Sequence, residues 1–354
     1  MNAMSLLAWT EPTTNHDAPS LGHAPSLWRD YRWAYAMRFL QPKMQWHRKV
    51  RFLARSVVHL QSSWHWFSLI RHSPLRAVAQ ADACFLDVIH RPFFDHRLSA
   101  MQRAALLNSH YRFFYAAFTP DIAGGIMQGQ GHVLGTASGK SNTPYQLVLR
   151  RVGQFDKEGC LTLQFVQAEC ILLSLTFSFA VEHQQVKMKL GGIQGGSGPT
   201  REALKAATQE LFGLQPRLLL IWTLRELAQR LGVGAIEAVD QQNHVYKSDR
   251  YTGRKTIQID YDDLWTAAGG TPLAHGNFAI PIAEKITPLS ERPAHKRAQY
   301  RKRAVMLDTL REGLQATLSQ SIAPAVPSWR SLSASAADTG AGALNLLDGQ
   351  LALP

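Results

Sequence analysis

A chain of 354 residues with 45% hydrophobic content is long enough for a sizeable core, in two domains or one elaborated domain. Its formal charge of +12 and pI near 9.8 predict attraction to anions: phosphates, nucleic acid or an anionic membrane surface. No apolar run approaches the roughly 20 residues of a bilayer span, and the start of the chain lacks a Sec-type leader. A cytoplasmic protein is therefore expected, with a place peripheral to the inner membrane left open.

Residues 1–25 carry Pro, Asn, Ser and His without a period and read as disordered. From 26 to 120 the pattern is helical and basic, with fourteen Lys and Arg against four Asp and Glu between Arg29 and Arg112. WRDYRWAYAMRFL is one helix. QWHRKVRFLARSVVHLQSSWHWFSLI reads as a second, continuous one. DACFLDVIHRPFF is broken by its proline, and LSAMQRAALLNSHYRFFYAAF follows with Ser99 as N-cap. Trp64, Trp66 and Phe67 beside Arg51, Arg55 and Arg71 either form the core of this layer or dock on an anionic surface.

Near residue 120 the pattern changes, opening a unit that extends to about 320. LVLRRV, LTLQFVQ, LLSLTFSF and VKMKL alternate with period two, so 146–192 reads as an antiparallel meander, with DKEG and EHQQ as hairpin connections. A glycine-rich stretch at 191–200 leads into a helix ending near Gly213. RLLLIWTLRELAQRL is the next helix, and AIEAV a short buried strand. YDDLWTAAGG reads as a short helix, NFAIPI as an edge strand, and residues 292–320 as a basic helix. Residues 321–354, rich in Ala, Ser, Pro and Gly, read as a disordered tail.

GTASGKS at 135–141 resembles a P-loop but has one residue too few between its glycines, and a strand pattern follows it. The three cysteines, Cys84, Cys160 and Cys170, form no CxxC pair and read as buried or half-buried thiols. The 14 histidines are scattered, and no metal site is expected. The stretch from Gln194 through Gly195, Gly196, Ser197 and Gly198 to Thr200 places glycines before a helix N-terminus. There, unpaired N–H groups and the helix dipole suit a phosphate; the other reading is a plain strand-to-helix turn. His244 and Tyr246, just past the AIEAV strand, are candidates for proton transfer. Lys296, Arg297, Arg301 and Arg303 form a candidate anion-binding cluster.

LGGIQGG (190–196), LFGLQPRLLL (211–220), AVDQQNHVY (238–246), YDDLW (261–265) and KRAQYRKRAVMLDTL (296–310), with LNSHYRFF (107–114), resemble the VirK/YbjX family over roughly 30–315. That resemblance implies a role in virulence and antimicrobial-peptide resistance through envelope maintenance. It implies no catalytic residue. The order of meander, glycine-rich loop, helix and buried strand is similar to the core of acyl-CoA N-acyltransferases, the GNAT fold, whose loop binds the CoA pyrophosphate. Here Ser197 stands where that loop has its first glycine, and an extra helix precedes the buried strand. The expectation is an α+β fold, with a helical N-terminal region packed on a GNAT-like, mixed, largely antiparallel sheet. The function expected is that of a transferase of the acyl- or aminoacyl-transferase type using acyl-CoA or another phosphate-bearing donor. The alternative is a basic module for lipid head groups or nucleic acid. The oligomeric state is not legible.

Overall fold

The computed structural model of the chain describes residues 26–40, 45–195, 200–251, 253, 257, 259–284 and 287–324. The segment expected to be disordered at 1–25, and residues 325–354 of the tail expected to be disordered from 321, lie outside these residues; Ser321 to Pro324 of that tail are described, with Ser321 ending a helix and Ile322 buried.

The N-terminal layer comprises α1 (Leu27–Phe39), α2 (Trp46–Val58), α3 (Leu60–Arg71), α4 (Leu75–Ala81), a 3-10 helix (Ala83–His90), α5 (Ala100–Ala117) and α6 (Pro120–Met127). The helix expected to run on past residue 58 is two, α2 and α3. After the β-branched pair Val57–Val58, His59 leaves helical geometry at φ −110 and ψ 46. Ser99 caps α5 in a reciprocal capping box with Gln102, as its sequence predicts. The aromatic question also resolves. Trp66 and Phe67 are buried among Phe52, Phe85 and Tyr111, and Trp64 donates its indole N–H to the buried carboxylate of Asp30. Trp66 and Phe67 belong to the core of the layer, and the half-buried Trp64 packs against it.

Eight strands among the described residues form one sheet: β1 (His132–Ser138), β2 (Pro144–Arg150), β3 (Leu161–Gln167), β4 (Cys170–Glu182), β5 (Gln185–Gly195), β6 (Ala235–Ala238), β7 (Thr271–Pro272) and β8 (Phe278–Ile280). Their order is β1-β2-β3-β4-β5-β6-β8-β7, and every pairing is antiparallel except β5 with β6. The fold is α+β with a mixed sheet. The sequence pattern missed β1, which ends in the GTAS of the P-loop look-alike. The remainder of that stretch is the β1–β2 turn, so a strand follows it and no helix. Phe278–Ile280 is an inner strand, because the two-residue β7 covers its far side; Pro281 falls just outside it.

The β4–β5 turn places His183 and Gln184 at φ 48 and 65, and the β3–β4 turn places Ala168 and Glu169 at φ 45 and 68. This double left-handed geometry matches the twist of a two-residue hairpin. Cys160 is buried, whereas Cys84 and Cys170 are exposed, against the expectation of three sheltered thiols.

Leu161–Val166 is buried at every residue, which requires cover on both faces of the sheet. α7 (Thr200–Glu210), α8 (Pro216–Arg230) and α5 supply it by packing against β3 and β4. α5 also closes a strand edge. β4 outruns β3, whose last pairing is Leu161 with Phe177. The next outward amide, that of Phe179, donates to His110 Nδ1 at 2.9 Å. The His110 ring stacks on Phe114 and Phe179. The basic helix, α10 (Arg297–Ser321), lies along β1 and α8. The chain just past it, Ile322–Ala323, pairs back to Ala117–Phe118.

Candidate functional site

β5 and β6 run parallel, so their carboxyl ends lie together, and their ladder stops early. Lys187–Leu190 pairs with Ala235–Ala238, the Val239 amide adds one more bond to Leu190, and then the strands part. A bulge drives the parting: Leu190 faces Phe177 and Gly192 faces Thr176, leaving Gly191 as the extra residue. Crevices at the carboxyl ends of parallel strands are where α/β sheets bind ligands.

Glu158, from the β2–β3 connection, enters this divergence. A Cβ on Gly191 would lie 1.6 Å from the Glu158 carbonyl oxygen. One on Gly192 would lie 2.6 Å from Glu158 Oε2, 3.1 Å from Tyr261 Oη and 3.2 Å from His244 Nε2. The first two glycines of the stretch are thus needed for the close approach of a backbone and a carboxylate. Glu158 is fully buried. Its Oε1 accepts the Tyr246 hydroxyl at 2.5 Å, and its Oε2 accepts the Gln194 side-chain amide at 2.9 Å. Lys157 Nζ stands 3.9 Å from Oε1. Two residues singled out in the sequence, Gln194 and Tyr246, therefore meet on a third that the sequence did not mark.

The rest of the wedge is aromatic. The hydroxyl of Tyr261, at the start of α9 (Tyr261–Ala267), accepts the Ile193 amide at 3.1 Å and donates to the Ile193 carbonyl at 3.4 Å, replacing the ladder bonds that β6 no longer offers. His244 stacks on Tyr261, and Tyr261 on Trp265. His244 Nδ1 accepts the Tyr246 backbone amide at 3.2 Å, which puts the ring proton on Nε2, against Gly192. Burial pushes the His244 imidazolium down to a pKa of about 3, the Gly191 carbonyl opposing only in part. His244 is thus a neutral, enclosed ring rather than a base poised near its ordinary value. Burial, and after it the charge of Glu158, raise Tyr246 far above the usual tyrosine range, so its hydroxyl keeps its proton.

A clasp from the N-terminal layer holds these loops. The Phe94 amide donates to the Lys157 carbonyl and the His96 amide to that of Asn243, while Asp95 bridges to His244. Phe94 sits at φ 59 to do so. Its ring lies against Gly191 and beneath Lys189 Nζ. Lys189 begins a second polar group, bonded to Glu182 at 2.7 Å and to its register partner Glu237 at 3.1 Å. Glu237 also accepts from Asn277 at 2.8 Å and faces His275 at 3.2 Å. Burial pushes the Glu237 carboxyl up. Lys189 and the two side-chain bonds outweigh that and hold it at about 2. Glu182, Lys189, Glu237 and Asn277, with Phe94 and Asp95, line a void of about 20 Å³, room for a single water.

Of the other expected residues, Gly195 is exposed at the end of β5. Gly196, Ser197, Gly198 and the side chain of Thr200 lie outside the described residues. The basic cluster does not converge. Lys296 is exposed. Arg297 donates to the carbonyls of Arg292 and Ser290, and Arg303 to the carbonyl of Phe212, closing the chain after α7. Arg301, with Lys302, lines a cavity of about 380 Å³ between α10 and the β1–β2 turn. Arg303 meets the residue two past α7, at the opposite end of that helix from Thr200, about 16 Å along it at 1.5 Å per residue.

Glu158 sits in a segment read as a hairpin connection and Tyr261 in one read as a short helix. Neither carries a local mark of its role. The run of two glycines opposite them is the one signal in the sequence, and there it fits either a phosphate cradle or a plain turn.

Among the described residues no helix is long and apolar enough to cross a membrane, and no group of His, Cys, Asp and Glu is arranged to hold a metal. Residues 42–316 match the family model described as "Protein of unknown function (DUF535)". The uncharacterized protein YbjX of Escherichia coli K12 is 30% identical over 277 residues, 76% of this chain and 84% of that protein. An uncharacterized protein of Haemophilus influenzae is 24% identical over 224 residues, 63% of this chain and 74% of that one. No solved structure matches. With the family model spanning most of the chain and this likeness to YbjX, the protein belongs to the DUF535 family, consistent with the VirK/YbjX resemblance of its sequence.

Proposed function

We propose that this protein is a transferase of the N-acyltransferase type, acting on an amine of an envelope component, with the Glu158–Tyr246 pair handling the proton. The observation that carries the reading is the buried Glu158 carboxylate, which holds Tyr246 and Gln194 at the carboxyl ends of the parallel strands β5 and β6. The parallel crossover through α7 and α8 supports a likeness to the GNAT core. The stretch Gly195, Gly196, Ser197, Gly198 and Thr200, which leads into α7, would receive the phosphates of acyl-CoA or a similar donor. Envelope modification of this kind would account for the virulence and antimicrobial-peptide resistance that the VirK/YbjX resemblance implies.

The chemistry follows from the hydrogen bond. The acceptor amine attacks the acyl carbon. Its proton passes to the Tyr246 oxygen as the Tyr246 proton passes to Glu158 along the 2.5 Å contact. The thiolate of the donor leaves and takes up the proton as the pair resets. His244 is a positioning residue, fixing the Tyr246 backbone through Nδ1.

Thermal unfolding with acetyl-CoA, long-chain acyl-CoA and ATP tests the donor site. A saturable rise in Tm with one CoA ester, lost in Gly195→Val/Gly196→Val, is expected. Glu158→Gln and Tyr246→Phe should keep that rise and lose CoA release with amine acceptors by about a hundredfold or more. No rise with any donor would overturn the reading.

A further inference from the structure

α2 wears its apolar side outward. Trp46, Val50, Leu53 and Val57 follow at spacings of four, three and four, which places them within an arc of about 60° on a helix of 100° per residue. All four are exposed, Trp46 to 73%. The face that α2 turns to the body is a different one, made by Phe52 and Ser56, its buried residues. Ala54 and Val58, the latter 75% exposed, continue the outward arc to Arg51, after which come Arg55 and Arg48. α2 carries four cations and no acid. Nearby, Trp28 and Leu40, at either end of α1, are exposed as well, with Arg29 and Arg32 on the same helix.

A face that runs from tryptophan and aliphatics into arginines has the chemistry of a bilayer surface. Apolar groups enter below the headgroups, and the arginine stems reach back up to phosphates. Nucleic acid would use the arginines but would leave the aliphatic stripe in water. We infer that this face of α2 is the surface by which the protein docks on an anionic lipid bilayer. The inference stands apart from the transferase reading, since it uses neither Glu158 nor Tyr246.

The test is flotation of the full chain with vesicles of phosphatidylcholine, and with vesicles of an equal mixture of phosphatidylcholine and phosphatidylglycerol. The mixed vesicles should carry the protein at least about tenfold better, with the advantage shrinking as salt rises. Leu53→Glu/Val57→Glu should lose about tenfold or more of that binding with unchanged circular dichroism and Tm. Arg48→Glu/Arg51→Glu should weaken binding and flatten its salt dependence. Trp46→Ala, which adds no charge, gives the same reading should the double acidic variant unfold. Failure of the parent chain to float on the mixed vesicles overturns the inference. So does flotation unaltered by Leu53→Glu/Val57→Glu in its folded form or by Trp46→Ala. A dimer in light scattering that these substitutions split would assign the face to a second copy and overturn it equally.

Discussion

The β5–β6 divergence and the outer face of α2 break the usual rule of burial in opposite directions. At the divergence, Glu158, Glu237, Lys189 and His244 are inside. On α2, Trp46, Leu53, Val57 and Val58 are outside. The interior polar groups are held by specific bonds, so that region should tolerate neither a lost partner nor an added atom. The exterior apolar groups have few neighbours, so that region should tolerate both. Structural demand and chemical exposure thus separate within one chain, and substitutions can measure how far.

The largest expected effect is acid instability of the interior. His90, His110 and His244 are each pushed by burial from 6.5 to about 3. Folded values below the unfolded ones mean that the stabilisation is complete above pH 6.5 and is lost as pH falls toward 3. From about pH 8 to about pH 5 the loss is about 2 kcal/mol for each ring, most of a typical stability when the three add. Urea midpoints across that range should fall steeply; a flat profile would mean that these rings meet water.

Gly191→Ala comes next. Its new Cβ meets backbone at 1.6 Å and should cost more than about 3 kcal/mol in urea unfolding. Glu237→Gln should cost about 3 kcal/mol at neutral pH. It should also remove the part of the acid transition between pH 4.5 and about 2, where a lowered carboxylate value ceases to stabilise.

The exterior gives the small effects. Gly313→Ala, on α10 with nothing within 4 Å, should stabilise by about 0.5–1 kcal/mol and so shows that glycine replacement is harmless where space is free. Leu53→Glu should change stability by less than about 0.5 kcal/mol. A cost above about 1.5 kcal/mol would show that α2 packs against something, and the contrast between the two regions would fail.

The meander was legible because period two survives in LTLQFVQ and LLSLTFSF even where both faces are covered: Ser174, Thr176 and Ser178 keep the alternation although all are buried. α8 was legible from the spacing of Leu220, Leu224, Leu227 and Leu231, and α10 as a long basic helix. β1 was not, since HVLGTAS does not alternate and is half-exposed. The candidate site was half legible. Gln194 and Tyr246 stand beside elements that the sequence marks, whereas Glu158 acquires its place only when a connection folds over two glycines. The outward face of α2 was hidden for a related reason. Helical periodicity reports that a helix has two sides and is silent on which one meets the body.

The bond between Phe179 and His110 carries one more consequence. A strand that outruns its neighbour offers its spare amide to any other extended chain, and His110 closes that offer with a ring nitrogen. Only the neutral ring can do this, because a protonated imidazole has no acceptor left. Acid therefore acts on this protein twice at one residue. It removes a stabilising group from the core, and it uncaps a strand end that then recruits other molecules. Loss of solubility should accompany acid unfolding from its onset.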